Sequence, residues 1–497
     1  MPEMNPSKTP MLSKSKYLAG LQCPLRLWHQ CYNPELATPA SPAQQALFDT
    51  GHQVGELATR LYPGGVLVET DPLRHEQAVR ETSRAMEDAL VKAIYEASFV
   101  YDEVRVKVDI LARNKGEWNL VEVKSSTKVK GEYLPDVAVQ YHVLKGAGTK
   151  VDRLLLLHLD NQYVYDGQEL DLKHLFAASD LTEPGHACQE EIQSNLLKFK
   201  NLLGNAHPPE IAPSRHCFNP YHCEFWDHCS TAVPEHPVWQ LSGISQVKLN
   251  QLAAMNIRDI RDIPSSFALS EIQERIRSCV QKNEEYIDRH LKAELLNLDY
   301  PVHFLDFETL GLAIPRYAGT RPYQSIPFQW SDHILHGDGS MDHRAYLCPE
   351  DKDPREEFTS TLLDVLGDGG SICTYANYEK GIIEKMAEQF PSSRERLLKI
   401  LDRLVDLYAV IRKRYYHPDF HGSFSIKSVL PALLPDMGYD KLAVQEGQEA
   451  GVWYMKMINP STSSEEKERI RMDLLAYCEQ DTLAMVKIRE ELLRRML

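Results

Sequence analysis

The sequence predicts an α/β protein built as two α/β units joined by a helical connector. Three observations carry that expectation. Short apolar runs alternate with helical-period segments over residues 1–235 and again over 296–497, whereas 236–295 shows helical spacing alone. At a soft prior of roughly 150 residues per domain, 497 residues exceed a single ordinary core. A composition of 43% hydrophobic and 25% charged residues lies in the globular range and excludes wholesale disorder or a fibrous repeat.

Within 1–235 an amphipathic helix is expected over 43–61, followed by strands near 97–100, 104–112 and 118–123. Asn114, Lys115 and Gly116 separate the last two strands as a hairpin turn. A helix over 136–145 and a strand over 153–159 complete the order helix, three strands, helix, strand. In the connector, helices are expected in SQVKLNQLAAMNIRDIRDIP and SEIQERIRSCVQKNEEYIDRHLKAELL. The last unit opens with a buried strand in VHFLDFETL, adds a strand at ICTYA and closes with a helix over 465–495, whose N-terminus is marked by STSSEE.

No apolar run reaches the roughly 18 to 20 residues that span a bilayer, and the first twenty residues lack a secretory apolar core, so a cytoplasmic protein without membrane partners is expected. Ten cysteines there read as thiols or metal ligands rather than disulfides. A formal charge of −16 argues against a globally basic nucleic-acid binder. It is compatible with clustered carboxylates that hold metal ions beside a local basic groove.

The first candidate constellation is Asp109 in VRVKVDILAR with Glu122 and Lys124 in LVEVKSS. The hairpin between them brings the strands side by side, and alternation puts Glu122 and Lys124 on one face with Val123 on the other. Two carboxylates can bind a divalent cation while the ammonium positions water or offsets phosphate charge. Solvated polar residues on an open sheet face would give the same triplet. The pattern resembles the PD-(D/E)XK nuclease superfamily, and its RecB-like members in particular, with Asp109 as the aspartate and Glu122-Val123-Lys124 as the (D/E)XK element. The resemblance implies that Gln140, in DVAVQYHVL, supports the site and that Glu56, in GHQVGE, adds a ligand, with His52 as a weaker candidate. No proline precedes Asp109.

HCFNPYHCEFWDHC holds Cys217, Cys223 and Cys229 with five residues between neighbours, and Cys23 in LQCPLRLW can supply a fourth thiolate. One cysteine before and three after a RecB-like core resembles the iron-sulfur nucleases, including CRISPR-associated ones and the AddAB helicase-nuclease. The resemblance implies a four-iron four-sulfur cluster that staples the domain ends. Zinc is the alternative occupant, since His216, His222 and His228 interleave. The other six cysteines read as buried core thiols.

The second constellation joins Asp306 and Glu308 in FLDFETLG, Glu379 in TYANYEKGIIEKM, and Tyr477 with Asp481, four apart on a late helix, in YCEQDTLAMVKI. Their order resembles the DEDD exonucleases of the RNase H-like superfamily, the tyrosine marking the DEDDy subgroup. Glu379 departs from the usual aspartate, and Asp406 in LVDLYAV is the candidate for an alternative or auxiliary acid. The two resemblances together imply an Mg²⁺- or Mn²⁺-dependent nuclease, its C-terminal domain of the 3′–5′ exonuclease type, acting exonucleolytically on single-stranded DNA or DNA ends with the polarity of the whole protein open, with RNA as a further substrate, in repair or defence. A helicase or another repair or defence protein is the implied partner, and inactive centres would leave a nucleic-acid clamp or adaptor. The connector LSGISQVKLNQLAAMNIRDIRDIP resembles a helix-hairpin-helix element, with a plain helical spacer as the alternative.

Overall fold

The structure, a computed structural model, describes residues 10–68 and 74–496. It divides into two compact units: Met1–Val233 with Leu312–Gln324, and Pro234–Gly311 with Ser325–Leu497. Each is a mixed α/β arrangement around its own main sheet, which is the α/β class expected from sequence. The span 296–497, read from sequence as one domain, is interrupted by a segment that packs with the first unit, and residues 236–295 belong to the second. No helix among the described residues is long and apolar enough to cross a membrane.

Among the described residues the first unit has seven strands: β1 (Leu12–Ser13), β2 (Gly65–Leu67), β3 (Ala93–Tyr101), β4 (Val104–Asn114), β5 (Glu117–Lys124), β6 (Val151–Leu159) and β7 (Phe176–Asp180). The order is β2-β3-β4-β5-β6-β7, with parallel pairs β2–β3 and β5–β6 and the rest antiparallel. The β4–β5 turn has Lys115 at φ 46° and Gly116 at φ 92°, the two left-handed positions of a type I′ hairpin that the Asn-Lys-Gly signal anticipates. Strand β3 flanks β4 from Val104 to Ala112, so β1, which runs parallel to β4 at Val104 and Arg105, takes the other edge. That same edge is occupied by β5 only from Ile110 onward. Asp109 therefore stands where β4 passes from one partner to the other.

Helix Tyr133–Gly146 is buried continuously from Asp136 to Leu144. It lies between β3, β4 and β6 on one side and helices Lys14–Gln22 and Gln189–Leu203 on the other. A helix covered on both sides has no reason to be amphipathic, which explains its unbroken apolar run VAV and VL around Gln140. A second core, on the opposite side of the sheet, joins Val54, Leu57 and Ala58 of helix Pro42–Thr59 to Val121 and Leu157.

In the second unit, β8 (Tyr286–Ile287) pairs with β14 (Tyr415–Tyr416) apart from the main sheet. The main sheet contains β9 (Val302–Gly311), β10 (Ser325–Leu335), β11 (Met341–Leu347), β12 (Ile372–Thr374) and β13 (Leu404–Asp406), ordered β11-β10-β9-β12-β13. The first three are antiparallel neighbours, and β12 and β13 run parallel to β9. Helix Ser464–Arg494, capped by the Ser463 hydroxyl, packs on β9 and β10. The connector is less helical than its spacing suggests. Helix Gln246–Ala254 stops before Asn256 at φ 56°, IRD forms only a 3-10 turn, and helix Glu271–Lys282 ends at Asn283 in a left-handed cap. Asparagine tolerates that conformation and ends a helix that periodicity alone would continue.

Candidate functional site

The first cluster forms at the partner exchange along β4. Past the Ile110–Val121 pair the β4–β5 ladder ends, and the Val123 N–H donates to the Asp109 carboxylate at 2.7 Å instead of to a strand carbonyl. Glu122, 1% exposed, accepts from Lys124 Nζ at 2.7 Å and Lys14 Nζ at 2.8 Å on one oxygen and from Gln140 Nε2 at 2.7 Å on the other. Asp136 closes the ring, 2.5 Å from Lys124 and 3.2 Å from Lys14. Three carboxylates thus face two ammoniums, and Asp109 is the one without a cation of its own.

Electrostatics follow that arrangement. Burial and the neighbouring Glu122 push the Asp109 carboxyl up to about 7. Burial would also raise Glu122, but the ammoniums of Lys14 and Lys124 overcome it and hold the group below the usual carboxylate range. Burial works against the Lys124 ammonium, yet Glu122 and Asp136 keep it protonated. Gln140, fully buried, anchors Glu122 from helix Tyr133–Gly146. Gln140→Ala is expected to leave one Glu122 oxygen without a donor and to cost about 1–3 kcal/mol, read as a lower urea midpoint at unchanged slope. An unchanged midpoint would mean that Gln140 does not brace the carboxylate. Glu56 and His52 are exposed on helix Pro42–Thr59, which buries Val54, Leu57 and Ala58. Among the described residues the Glu56 side chain makes no hydrogen bond or ion pair, and the structure does not bring it or His52 to Asp109 and Glu122 by any direct contact.

The four cysteines share one pocket, lined also by Arg26, His29 and Phe225. All are free thiols, and Cys217 and Cys223 are buried beside Cys229 under Trp226. The loop is tied to the N-terminal helices: Gln22 donates to the carbonyls of His216 and Tyr221 at 2.8 and 2.7 Å, and Arg26 pairs with Glu224 at 2.8 Å. Among the described residues, no three of these sulfurs lie within 4.8 Å of one another. Cys23 caps the C-terminal end of the nine-residue helix Lys14–Gln22, whose first residue, Lys14, enters the carboxylate cluster. One rigid element of about 13 Å, at 1.5 Å per residue, connects the two sites.

In the second unit, Asp306 and Glu308 project from β9, Glu379 from the first turn of helix Tyr378–Gln389, and Asp481 from helix Ser464–Arg494. Glu308, Glu379 and Asp481 are buried. Burial and the other three carboxylates drive Asp306 well above its ordinary value, and burial with Asp481 does the same to Glu308 against the pull of Lys427. Burial lifts Glu379 to about 8 and Asp481 to about 6. Glu379 Oε2 is buried without a hydrogen-bond partner. The Tyr439 hydroxyl donates to Asp481 at 2.5 Å, and Tyr477, 6.2 Å from the Tyr439 ring, sits beside it. Lys427 Nζ lies 5.3 and 5.4 Å from these two rings.

Two residues read differently in three dimensions. Asp406 accepts from the N–H groups of Ala376 at 3.0 Å and Ala409 at 3.1 Å, so it caps a helix and holds the turn at Ala376, φ 80°, that leads into Glu379. Cys478, expected to be a plain core thiol, is buried but donates to Asp306 Oδ2 at 3.6 Å. Asp306, Glu308 and Cys478 each offer a ligand atom within 4.8 Å of the others, a group able to hold a metal ion.

Residues 303–425 match the family model described as Domain of unknown function (DUF2779). The match opens on β9, contains Asp306, Glu308 and Glu379, and ends before Tyr477 and Asp481. The chain is also similar to Uncharacterized protein UU173 of Ureaplasma parvum serovar 3, 25% identical over 209 residues. That alignment covers 37% of this chain and 30% of the relative, less than a third of the relative's length.

Lys14, Asp136, Lys427 and Tyr439 were not singled out by sequence. Asp136 stands one helical turn before Gln140, a spacing that could have marked it. Lys14 and Tyr439 arrive through long-range packing that leaves no local signal.

Proposed function

We propose that the chain is a divalent-metal-dependent nuclease that hydrolyses phosphodiester bonds of DNA, exonucleolytically at single strands or ends, with two centres. The convergence of Asp306, Glu308, Glu379 and Asp481 from three separate segments carries this reading. Like charges buried together are costly unless cations offset them, and of the four carboxylates only Glu308 and Asp481 feel an ammonium, that of Lys427. All-carboxylate oxygen donors suit Mg²⁺ or Mn²⁺. Asp306, Glu308, Glu379 and Asp481 would hold such ions in one centre, Asp109 and Glu122 in the other.

The β11-β10-β9-β12-β13 order, with acids on the central strand and the last helix, supports the RNase H-like DEDDy reading. The broken β4–β5 ladder at Asp109, with Glu122 and Lys124 beside it, supports the PD-(D/E)XK reading. Bound divalent ions would supply an acidified water and Lewis-acid polarisation of phosphoryl oxygens. Lys124 presents a fixed positive charge to a phosphate that gains negative charge during attack. Asp109, without a cation of its own in the cluster, is the carboxylate whose charge a divalent ion would offset. Tyr439 fixes the Asp481 carboxylate, and Tyr477 is placed to orient a water in the second centre.

A four-iron four-sulfur cluster is the occupant favoured for Cys23, Cys217, Cys223 and Cys229. Zinc held tetrahedrally by the four sulfurs is the alternative occupant. The cluster's part is structural: it would fix Cys23, and with it the helix that carries Lys14 into the first centre. Cys223→Ser is expected to abolish brown colour with broad absorption near about 400 nm and to lower first-centre cleavage. Stoichiometric zinc in anaerobically purified protein would reject the cluster.

The deciding assay gives the cluster-loaded protein 5′- and 3′-labelled DNA and RNA with Mg²⁺ or Mn²⁺, alongside Lys124→Ala and Asp306→Ala. Metal-dependent shortening, lost in stages in the variants, is expected. No cleavage, or cleavage indifferent to both substitutions while binding persists, would leave the clamp or adaptor reading instead.

A further inference from the structure

Beside the second carboxylate cluster, β10 and β11 are registered so that His333 stands directly opposite His343. Cross-strand neighbours are close enough for side chains to share one ligand, and these ring centroids are 4.5 Å apart. Glu479, on helix Ser464–Arg494, reaches the same point, its Oε1 3.7 Å from His343 Nδ1. One ligand atom from each of the three lies within 4.8 Å of the other two.

Hydrogen bonds sort the ring nitrogens. His333 Nδ1 is engaged by the Thr482 hydroxyl at 2.8 Å and His343 Nε2 by the Ser331 hydroxyl at 2.9 Å. Ser331 and Thr482 are bonded to each other at 2.9 Å, which joins both supports into one buried unit. His343 Nδ1 is left to face Glu479, and Nε2 is the nitrogen of His333 that the Thr482 bond leaves for a ligand role. Fixing one imidazole nitrogen by a hydrogen bond while the other is presented outward is how metal-binding histidines are oriented.

We infer that His333, His343 and Glu479 form a third metal site, separate from both carboxylate clusters, for a zinc-class divalent cation. Two imidazoles and a carboxylate are borderline donors that suit Zn²⁺, Co²⁺ or Ni²⁺ and not Mg²⁺. His333 is buried, His343 half-buried and Glu479 exposed, so the fourth position opens to solvent. The site also has a mechanical consequence. On the same helix, Cys478 donates to Asp306 and Asp481 lies close enough to repel it, while Glu479 and Thr482 meet β10 and β11. An ion here fastens the β10–β11 hairpin to the helix that positions Asp481.

The test titrates the full-length, cluster-loaded, chelator-treated protein with Co²⁺ alone and then displaces it with Zn²⁺. A visible cobalt spectrum without near-ultraviolet sulfur-to-cobalt charge transfer is expected, which separates this site from the cysteines. His343→Ala and Glu479→Gln, both at accessible positions, should each weaken binding at least about 100-fold, more than loss of an outer hydrogen-bond partner costs. Zn²⁺ should raise the Tm of the parent protein by more than that of either variant. In Asp306→Ala the cobalt signal should persist. Unaltered binding in the first two variants, or loss of the signal in Asp306→Ala, would overturn the assignment. This readout is independent of cleavage, so failure of the nuclease reading and failure of this site are distinguishable.

Discussion

Lys124→Ala, introduced into an Asp306→Ala background so that only the first centre can cut, is expected to lower cleavage by about 10²–10³-fold, the usual effect of removing one preorganised charge from a developing oxyanion. The fold should survive, because Lys14 still pairs with Glu122 and Asp136 at 2.8 and 3.2 Å. Breaking a buried ion pair outright would be far more damaging than thinning a network that keeps a second cation. Circular dichroism and the urea midpoint check that point. Single-turnover rates then report the chemical step. An undiminished rate in a folded double variant would remove the lysine, and with it the first centre, from the chemistry.

Metal-free protein is expected to lose stability as pH rises from about 5 to 8, with a Tm drop on the order of 10 °C that Mn²⁺ reverses. The direction follows from the carboxyls raised in the fold: Asp481 at about 6, Asp109 at about 7 and Glu379 at about 8, from ordinary values of 3.8, 3.8 and 4.5. Between the ordinary and the raised values the unfolded chain has already released these protons and the folded chain has not. Stability therefore falls with rising pH across that window and stops falling once the folded groups also ionise. Glu122, shifted the other way by its two lysines, contributes stability above its ordinary 4.5 that is lost as pH falls further. These groups alone put the maximum at about pH 4 to 5. A divalent ion that binds only the folded, ionised sites reverses the trend. The measurement is thermal unfolding at pH 5, 6, 7 and 8 with and without Mn²⁺. A Tm that rises with pH in the stripped protein, or ignores Mn²⁺ at pH 8, would contradict buried metal-binding carboxylates.

Elements with strong local periodicity or turn chemistry were legible before the structure. Residues 43–61 form helix Pro42–Thr59, the Asn-Lys-Gly signal forms a type I′ turn, and STSSEE supplies the Ser463 cap of the last helix. Strands β1, β2, β7, β8, β10, β11, β13 and β14 have no sequence expectation. Five of them are only two or three residues long, too short for period two to declare itself, and β10 is buried along nearly its whole length instead of alternating. The connector was overread, because helical spacing continues through Asn256 and Asn283 where left-handed backbone stops the helices.

By itself the sequence determined the α/β class through residue type and short-range spacing, and proposed the carboxylates, the lysine and the four cysteines through those local patterns together with their resemblance to nuclease families. Only the tertiary structure decided which charges meet. Lys14 joins Glu122 because a two-residue parallel strand docks on β4 at Val104 and Arg105, and Tyr439 reaches Asp481 from a loop between helices. The pairing of His333 with His343 is a matter of β10–β11 register. Contacts of that kind are set by the burial of apolar surface many residues away, which constrains position in space without marking the polar residues it brings together.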